Sequence, residues 1–108
     1  MVWSMDNKIA ARSLEALGNE TRLAVYRLLV RAGPDGLTFG QIQDALGGAA
    51  STLSHHVAAL ARAGLTEQQR RGRETVSTVN YAIMRDLLDY FTAECCEGVC
   101  VKETEDAA

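Results

Sequence analysis

Cys95, Cys96 and Cys100 are the only cysteines of the chain and lie within six residues of one another. In a reducing compartment such spacing argues for soft-ion binding or a redox switch rather than a structural disulfide. Consecutive residues on an ideal helix diverge by about 100°, so Cys95 and Cys96 converge on one atom only where a helix ends beside them. Gly98 permits that ending, and the segment Glu94-Cys-Cys-Glu-Gly-Val-Cys100 can then wrap back and bring the third sulfur to the pair. Tetrahedral zinc prefers four ligands. Three sulfurs with no nearby histidine match instead a three-coordinate centre bearing a lone pair, the geometry of trivalent arsenic or antimony. The close spacing favours a trio drawn from one subunit. A methylated arsenic would need two of the thiolates, cadmium or lead remain alternatives, and a disulfide formed from the same cysteines would make a redox switch.

A second chemistry lies upstream, in Ser51-Thr-Leu-Ser-His-His-Val-Ala-Ala-Leu-Ala-Arg-Ala-Gly-Leu65. At about 100° per residue, Leu53, Val57 and Leu60 fall within roughly 60° of each other, while Ser51, His55, Ala58 and Arg62 point the opposite way. One side packs and the other is free to read. Short hydroxyl and imidazole groups near a helix start suit the major groove, whose base edges offer donors, acceptors and the thymine methyl. Ser51, Thr52, Ser54 and His55 are the candidate readers, with Arg62 on the same side. His56 sits on the flank nearer Leu53 and Leu60 and reads as a half-buried, hydrogen-bonded packing residue. Cysteine–histidine catalysis is not expected, because it needs a base beside the thiol and these histidines belong to a different element.

The elements that must position these groups carry local signals. Thr38-Phe-Gly-Gln41 has the form of a capping box, Ile42 and Leu46 repeat at i, i+4, and Gly47-Gly48 breaks the helix. Gly64 supplies a left-handed stop after the reading helix, with Leu65 folding back as a Schellman contact. Thr66 to Arg70 and Thr75 to Tyr81 flank Arg71-Gly72-Arg73-Glu74, where Gly72 can take a positive φ and close a hairpin. Arg70, Arg71 and Arg73 at its tip are placed to neutralise phosphates or enter a minor groove. The expected fold is mainly α with a small β-hairpin, a winged helix-turn-helix.

These segments together resemble the recognition region and wing of the ArsR/SmtB family of metalloregulatory repressors. Leu17-Gly-Asn-Glu-Thr-Arg-Leu-Ala-Val-Tyr-Arg-Leu-Leu29 resembles that family's second helix. The resemblance implies a homodimeric repressor that binds double-stranded palindromic operator DNA and lets go when a metal or metalloid binds. A cysteine pair followed by a third cysteine after the last helix is similar to the inducer site of one arsenic-responsive branch, which points to As(III), with Sb(III) as the close alternative, and to no constitutive cofactor. The chain departs from the other arsenic branch, whose Cys-x-Cys precedes the recognition helix, since residues 37–53 contain no cysteine. It departs from zinc-sensing relatives too. Asp86 and Asp89 are present on the last helix without a histidine partner. The competing readings are a thiol-based redox-sensing repressor and a constitutive DNA-binding module.

A chain of 108 residues that is 47% hydrophobic supports one thin core. A partner subunit would help so small a core. Ala10, Leu14 and Leu17 follow i, i+4, i+7 near the start, and Ile83, Leu87, Leu88 and Phe91 line one side of the last helix. Periodicity allows these stripes to cap the monomer's own core or to pair across a two-fold axis, as the terminal helices of the resembled family do, with recognition helices about 34 Å apart. The net charge is −3, but Glu94, Glu97, Glu103, Glu105 and Asp106 against Lys102 put −4 after residue 93 and leave +1 on the body. A local arginine cluster on a near-neutral body suits a specific operator binder with steep salt dependence. The expected division is a winged-helix and dimerisation domain over residues 1–101 and a disordered acidic tail over 102–108. The first eight residues lack the pattern of a secretory signal and no apolar run reaches membrane-spanning length, so a cytoplasmic location and no membrane partner are expected.

Overall fold

The computed structural model describes residues 5–100. The acidic tail over 102–108 lies outside the described residues. Helix α1 (Asn7–Leu17) starts where Asp6 Oδ1 accepts the Ile9 N–H at 2.8 Å. Helix α2 (Glu20–Ala32) starts at Asn19, whose Oδ1 accepts from Thr21 N and Arg22 N. Such caps satisfy first-turn donors that have no partner inside the helix. A 3₁₀ turn over Gly33–Asp35 leads to the two-residue strand β1 (Leu37–Thr38).

The helix pair forms as the local signals require. Thr38 and Gln41 make the reciprocal capping box that opens α3 (Phe39–Leu46). Gly47 and Gly48, at φ 77° and 93°, carry the chain to α4 (Ala50–Arg62). The turn is braced by Gln43 Nε2, which donates to Gly48 O. Beyond α4, Gly64 at φ 81° closes a Schellman turn, with Leu65 N donating to Leu60 O at 3.1 Å. Leu65 is fully buried there.

Strands β2 (Thr66–Arg71) and β3 (Glu74–Val79) form the expected hairpin, paired from Thr66↔Val79 to Arg71↔Glu74. Gly72 is at φ 65° at the first of two loop positions, the residue pattern of a type II′ turn. The second strand is shorter than its alternation suggested. Asn80 interrupts it by accepting from Ile83 N, which starts α5 (Tyr81–Thr92) at Tyr81. The hairpin also gains a third strand that the sequence did not announce: β1 pairs antiparallel with β3, giving the order β1-β3-β2. Gly36 makes this pairing possible, because a Cβ at that position would lie 2.3 Å from Ser77 O.

Val25, Leu29, Ile42, Leu53, Leu60 and Ile83 form the centre of the core, with α4 and α2 packed across it. The terminal stripes split between two roles. Ala10, Ile83 and Leu87 are buried in the chain's own core, whereas Leu14, Leu88 and Phe91 remain 44%, 61% and 74% exposed. Among the described residues no helix is long and apolar enough to cross a membrane.

Candidate nucleic-acid interface and thiol site

Helix α4 buries Leu53, Val57 and Leu60 and leaves Ser51, Thr52, Ser54 and His55 exposed on the other side. Its N-cap residue, Ala49, offers no side-chain acceptor. The first-turn N–H groups are therefore left for an outside partner, and a helix start of this kind favours anions such as a phosphate. His56 is half-buried as expected, and its Nδ1 accepts a hydrogen bond from Arg22 Nε at 3.2 Å. That bond requires the neutral ring with its proton on Nε2. Burial, then the Arg22 guanidinium, then His55 hold the His56 pKa below its usual value of 6.5.

Arg62 shares the side of α4 that carries the candidate readers but not their neighbourhood. It lies eleven residues on, about 16 Å along the helix from Ser51, and lines a cleft with Arg12 and Arg22. The wing arginines are exposed at the hairpin tip, although they are not equivalent. Arg71 is tied down, donating through Nη1 to Asp35 O at 2.8 Å and through Nη2 to Gln69 Oε1 at 3.0 Å. Arg70 and Arg73 make no such bonds among the described residues. Arg71 thus props the wing against the turn before β1 while its neighbours extend from it.

Between α4 and the wing runs a groove lined by Ser54, Ala58, Gln68 and Thr75, with Phe39 and Val57 beneath. Gln68 and Thr75 join the candidate surface only through folding. Alternation within a strand shows which residues share a face, but not that this face turns toward α4.

The thiol segment follows directly on α5, which ends at Thr92, three residues before Cys95. Glu94 and Cys96 then adopt φ of 61° and 65°, left-handed values that break the helical path. The ending lets adjacent side chains converge: Cys95 Sγ and Cys96 Sγ stand 3.2 Å apart. All three cysteines are free and exposed. Cys100 does not complete the trio, since among the described residues no three cysteine, histidine or carboxylate side chains gather closely enough to hold a metal ion. Gly98, at φ 100°, lies between the pair and Cys100.

At the start and end of the fold, Tyr90 Oη donates to Asn7 Oδ1 and ties α5 to α1. The groove they flank is lined by Ala10, Ala11, Leu14 and Phe91. Leu14 and Phe91 on its rim are both exposed.

Residues 17–69 match the family described as helix-turn-helix domain. No curated protein sequence matches the chain at a significant level. Among solved structures, an ArsR-like transcriptional regulator from Rhodococcus sp. RHA1 superposes with a TM-score of 0.73 at 22% identity, covering 83% of this chain and 82% of the other. Reduced HlyU from Vibrio cholerae N16961 gives 0.64 at 25% identity over 82% and 90% of the two chains. The homodimeric winged helix-turn-helix DNA-binding domain of a possible ArsR-family transcriptional regulator from Mycobacterium bovis gives 0.61 at 25% identity, over 95% and 100%. The matched domain, the wing and the five-helix order agree in one assignment: the chain carries a helix-turn-helix domain in a winged-helix fold similar to that of ArsR-type regulators.

Proposed function

We propose that the chain is a homodimeric transcriptional repressor that leaves its operator when trivalent arsenic, or antimony, is captured by Cys95, Cys96 and Cys100. The observation that carries the sensing half is the 3.2 Å approach of two free, exposed sulfurs just past the last helix. Two thiols are already adjacent, and closing the segment about Gly98 brings the third. Arsenous acid and three thiols then exchange three As–O bonds for three As–S bonds and release three waters, with no change in oxidation state and no net proton.

DNA contact is assigned to Ser51, Thr52, Ser54 and His55 on α4 and to Arg70 and Arg73 on the wing, with Arg71 fixing the wing's angle. The exposed Leu14, Leu88 and Phe91 supply a self-complementary face for a two-fold partner. The Mycobacterium bovis relative is a homodimer, which supports the same assembly here. Capture of the metalloid pulls on α5 three residues beyond Thr92, and the Tyr90–Asn7 bond carries that pull to α1 beside the pairing face. A shift that disfavours the operator-bound arrangement by about 1–3 kcal/mol is the usual size of such coupling.

The test is release of a fluorescent palindromic operator during parallel titration with arsenite, antimonite, methylarsenite, zinc, cadmium and peroxide. Release by arsenite or antimonite, lost in each Cys→Ser variant while operator binding persists, is the expected result. Release by peroxide alone would replace metalloid capture with thiol oxidation. Loss of operator binding in the cysteine variants themselves would show that the thiols serve the DNA contact rather than its release.

A further inference from the structure

Arg12 and Glu15 of α1, Arg22 of α2 and Arg62 of α4 line one cleft of about 260 Å³, floored by Ala59 and Ala63. The lining thus carries three arginines from three helices and a single glutamate. Arg22 does not direct its hydrogen bonds to that carboxylate, since they go to His56 Nδ1 and Ala16 O. The alanine floor leaves space where longer side chains would fill the cleft. A concave site lined predominantly by one sign of charge, here three arginines against one glutamate, focuses its field and concentrates counter-ions. Guanidinium forks match tetrahedral oxyanions through paired N–H···O bonds.

Neither of the chain's other surfaces claims this cleft. Arg62 lies at the end of α4 remote from Ser51, about 16 Å along the axis, so a duplex read by the first turns of α4 is held away from it. Arg12 lies about 160° around α1 from Leu14, which leaves the cleft open when the apolar rim is covered.

We propose that the cleft binds a free phosphate-class oxyanion and that Arg22 reports its presence to the recognition helix through His56. An anion that engages Arg22 shares the guanidinium now held by the imidazole, so the Nε–Nδ1 bond is the first contact to respond. Coupling of this kind is reciprocal: an operator that fixes α4 alters the affinity for the anion as much as the anion alters affinity for the operator.

The experiment titrates inorganic phosphate into the full chain at constant ionic strength, read by calorimetry and by the NMR signals of the Arg22 and His56 side chains. Saturable binding is expected, with shifts at both side chains. Arg12→Gln should weaken it about tenfold, the loss of one charge-assisted hydrogen bond. Glu15→Gln, which removes the only repelling charge, should tighten it. Both positions are exposed, so neither change threatens the fold. Absence of saturable binding, affinity indifferent to both substitutions, or shifts confined to the wing would each overturn the proposal. In phosphate-free buffer, Arg12→Gln should keep the salt dependence of operator binding. A slope reduced by about one would mean that the cleft holds a backbone phosphate of the duplex, which would also overturn it.

Discussion

Arg22 and His56 are 34 residues apart in the chain and meet in one hydrogen bond, Nε to Nδ1 at 3.2 Å, which joins α2 to the recognition helix. The bond exists only while the imidazole is neutral. Its environment favours that state, because burial and the neighbouring guanidinium both penalise the imidazolium. Helix α4 is thereby held, away from its exposed Ser51 and His55, by a contact that acid can remove.

The sign of the pH dependence follows from the lowered pKa. The unfolded chain takes up a His56 proton near pH 6.5 and the folded chain only at lower pH, so stability falls as pH drops through 6.5 and on through the folded pKa. Thermal midpoints recorded between pH 8 and 5 should decline on the acid side, and His56→Gln, which keeps an acceptor without a titrating ring, should flatten the His56 share of that decline. An identical acid limb in the variant would remove His56 from the account.

The wing arginines should divide by role. Arg73→Ala should weaken operator binding and reduce the salt slope by about one, as expected for loss of a single phosphate contact. Arg71→Ala also breaks the bond to Asp35 O, so its loss should exceed that of Arg73→Ala and appear in hydrogen exchange of the β2–β3 hairpin. Equal losses and unchanged exchange would mean that Arg71 acts by charge alone.

The exposed rim should govern assembly. Phe91 is 74% exposed and Leu88 61% exposed in the single chain, and covering a large apolar side chain contributes about 1.5–3 kcal/mol. Because a two-fold interface uses each residue twice, Phe91→Glu should raise the dimer dissociation constant by at least about a hundredfold. Sedimentation of wild type and variant at matched concentrations checks this, and a variant as dimeric as the wild type would move the interface elsewhere.

Proton balance separates the inducers. Arsenous acid binding to three protonated thiols releases water and no net proton, whereas a divalent cation must displace thiol protons. Calorimetry near neutral pH in buffers of differing ionisation enthalpy should therefore find near-zero release for arsenite and two to three protons for cadmium, on the order of the thiols engaged. Release of two or three protons with arsenite would contradict capture of the neutral acid by protonated thiols.

What the sequence alone determined about this protein is whatever short-range chemistry dictates. The capping box of Thr38 and Gln41, the Schellman stop at Gly64 and the hairpin glycine at Gly72 each involve neighbours within a few residues. Their geometry follows from backbone sterics and unsatisfied N–H groups, so local spacing is sufficient to read them. The buried and exposed sides of α4 followed from helical periodicity in the same way, as did the helix ending that lets Cys95 and Cys96 converge.

Tertiary structure decided the contacts between residues distant in the chain. Leu37 pairs with Ser77, Arg71 bonds Asp35 O, and Arg22 reaches His56, none of them visible as a local pattern. The same apolar periodicity covers Ile83, which is buried, and Phe91, which is not. Periodicity records which residues share a helix face, whereas burial depends on what the rest of the chain brings against that face. Two strands long enough to alternate announced the wing, but the two-residue β1 was too short to alternate and acquired its identity only when Gly36 let it approach β3. Cys100 marks the same boundary on the functional side. Its spacing offers a candidate third ligand, whereas the folded segment around Gly98 gathers no three such side chains closely enough to hold a metal ion among the described residues.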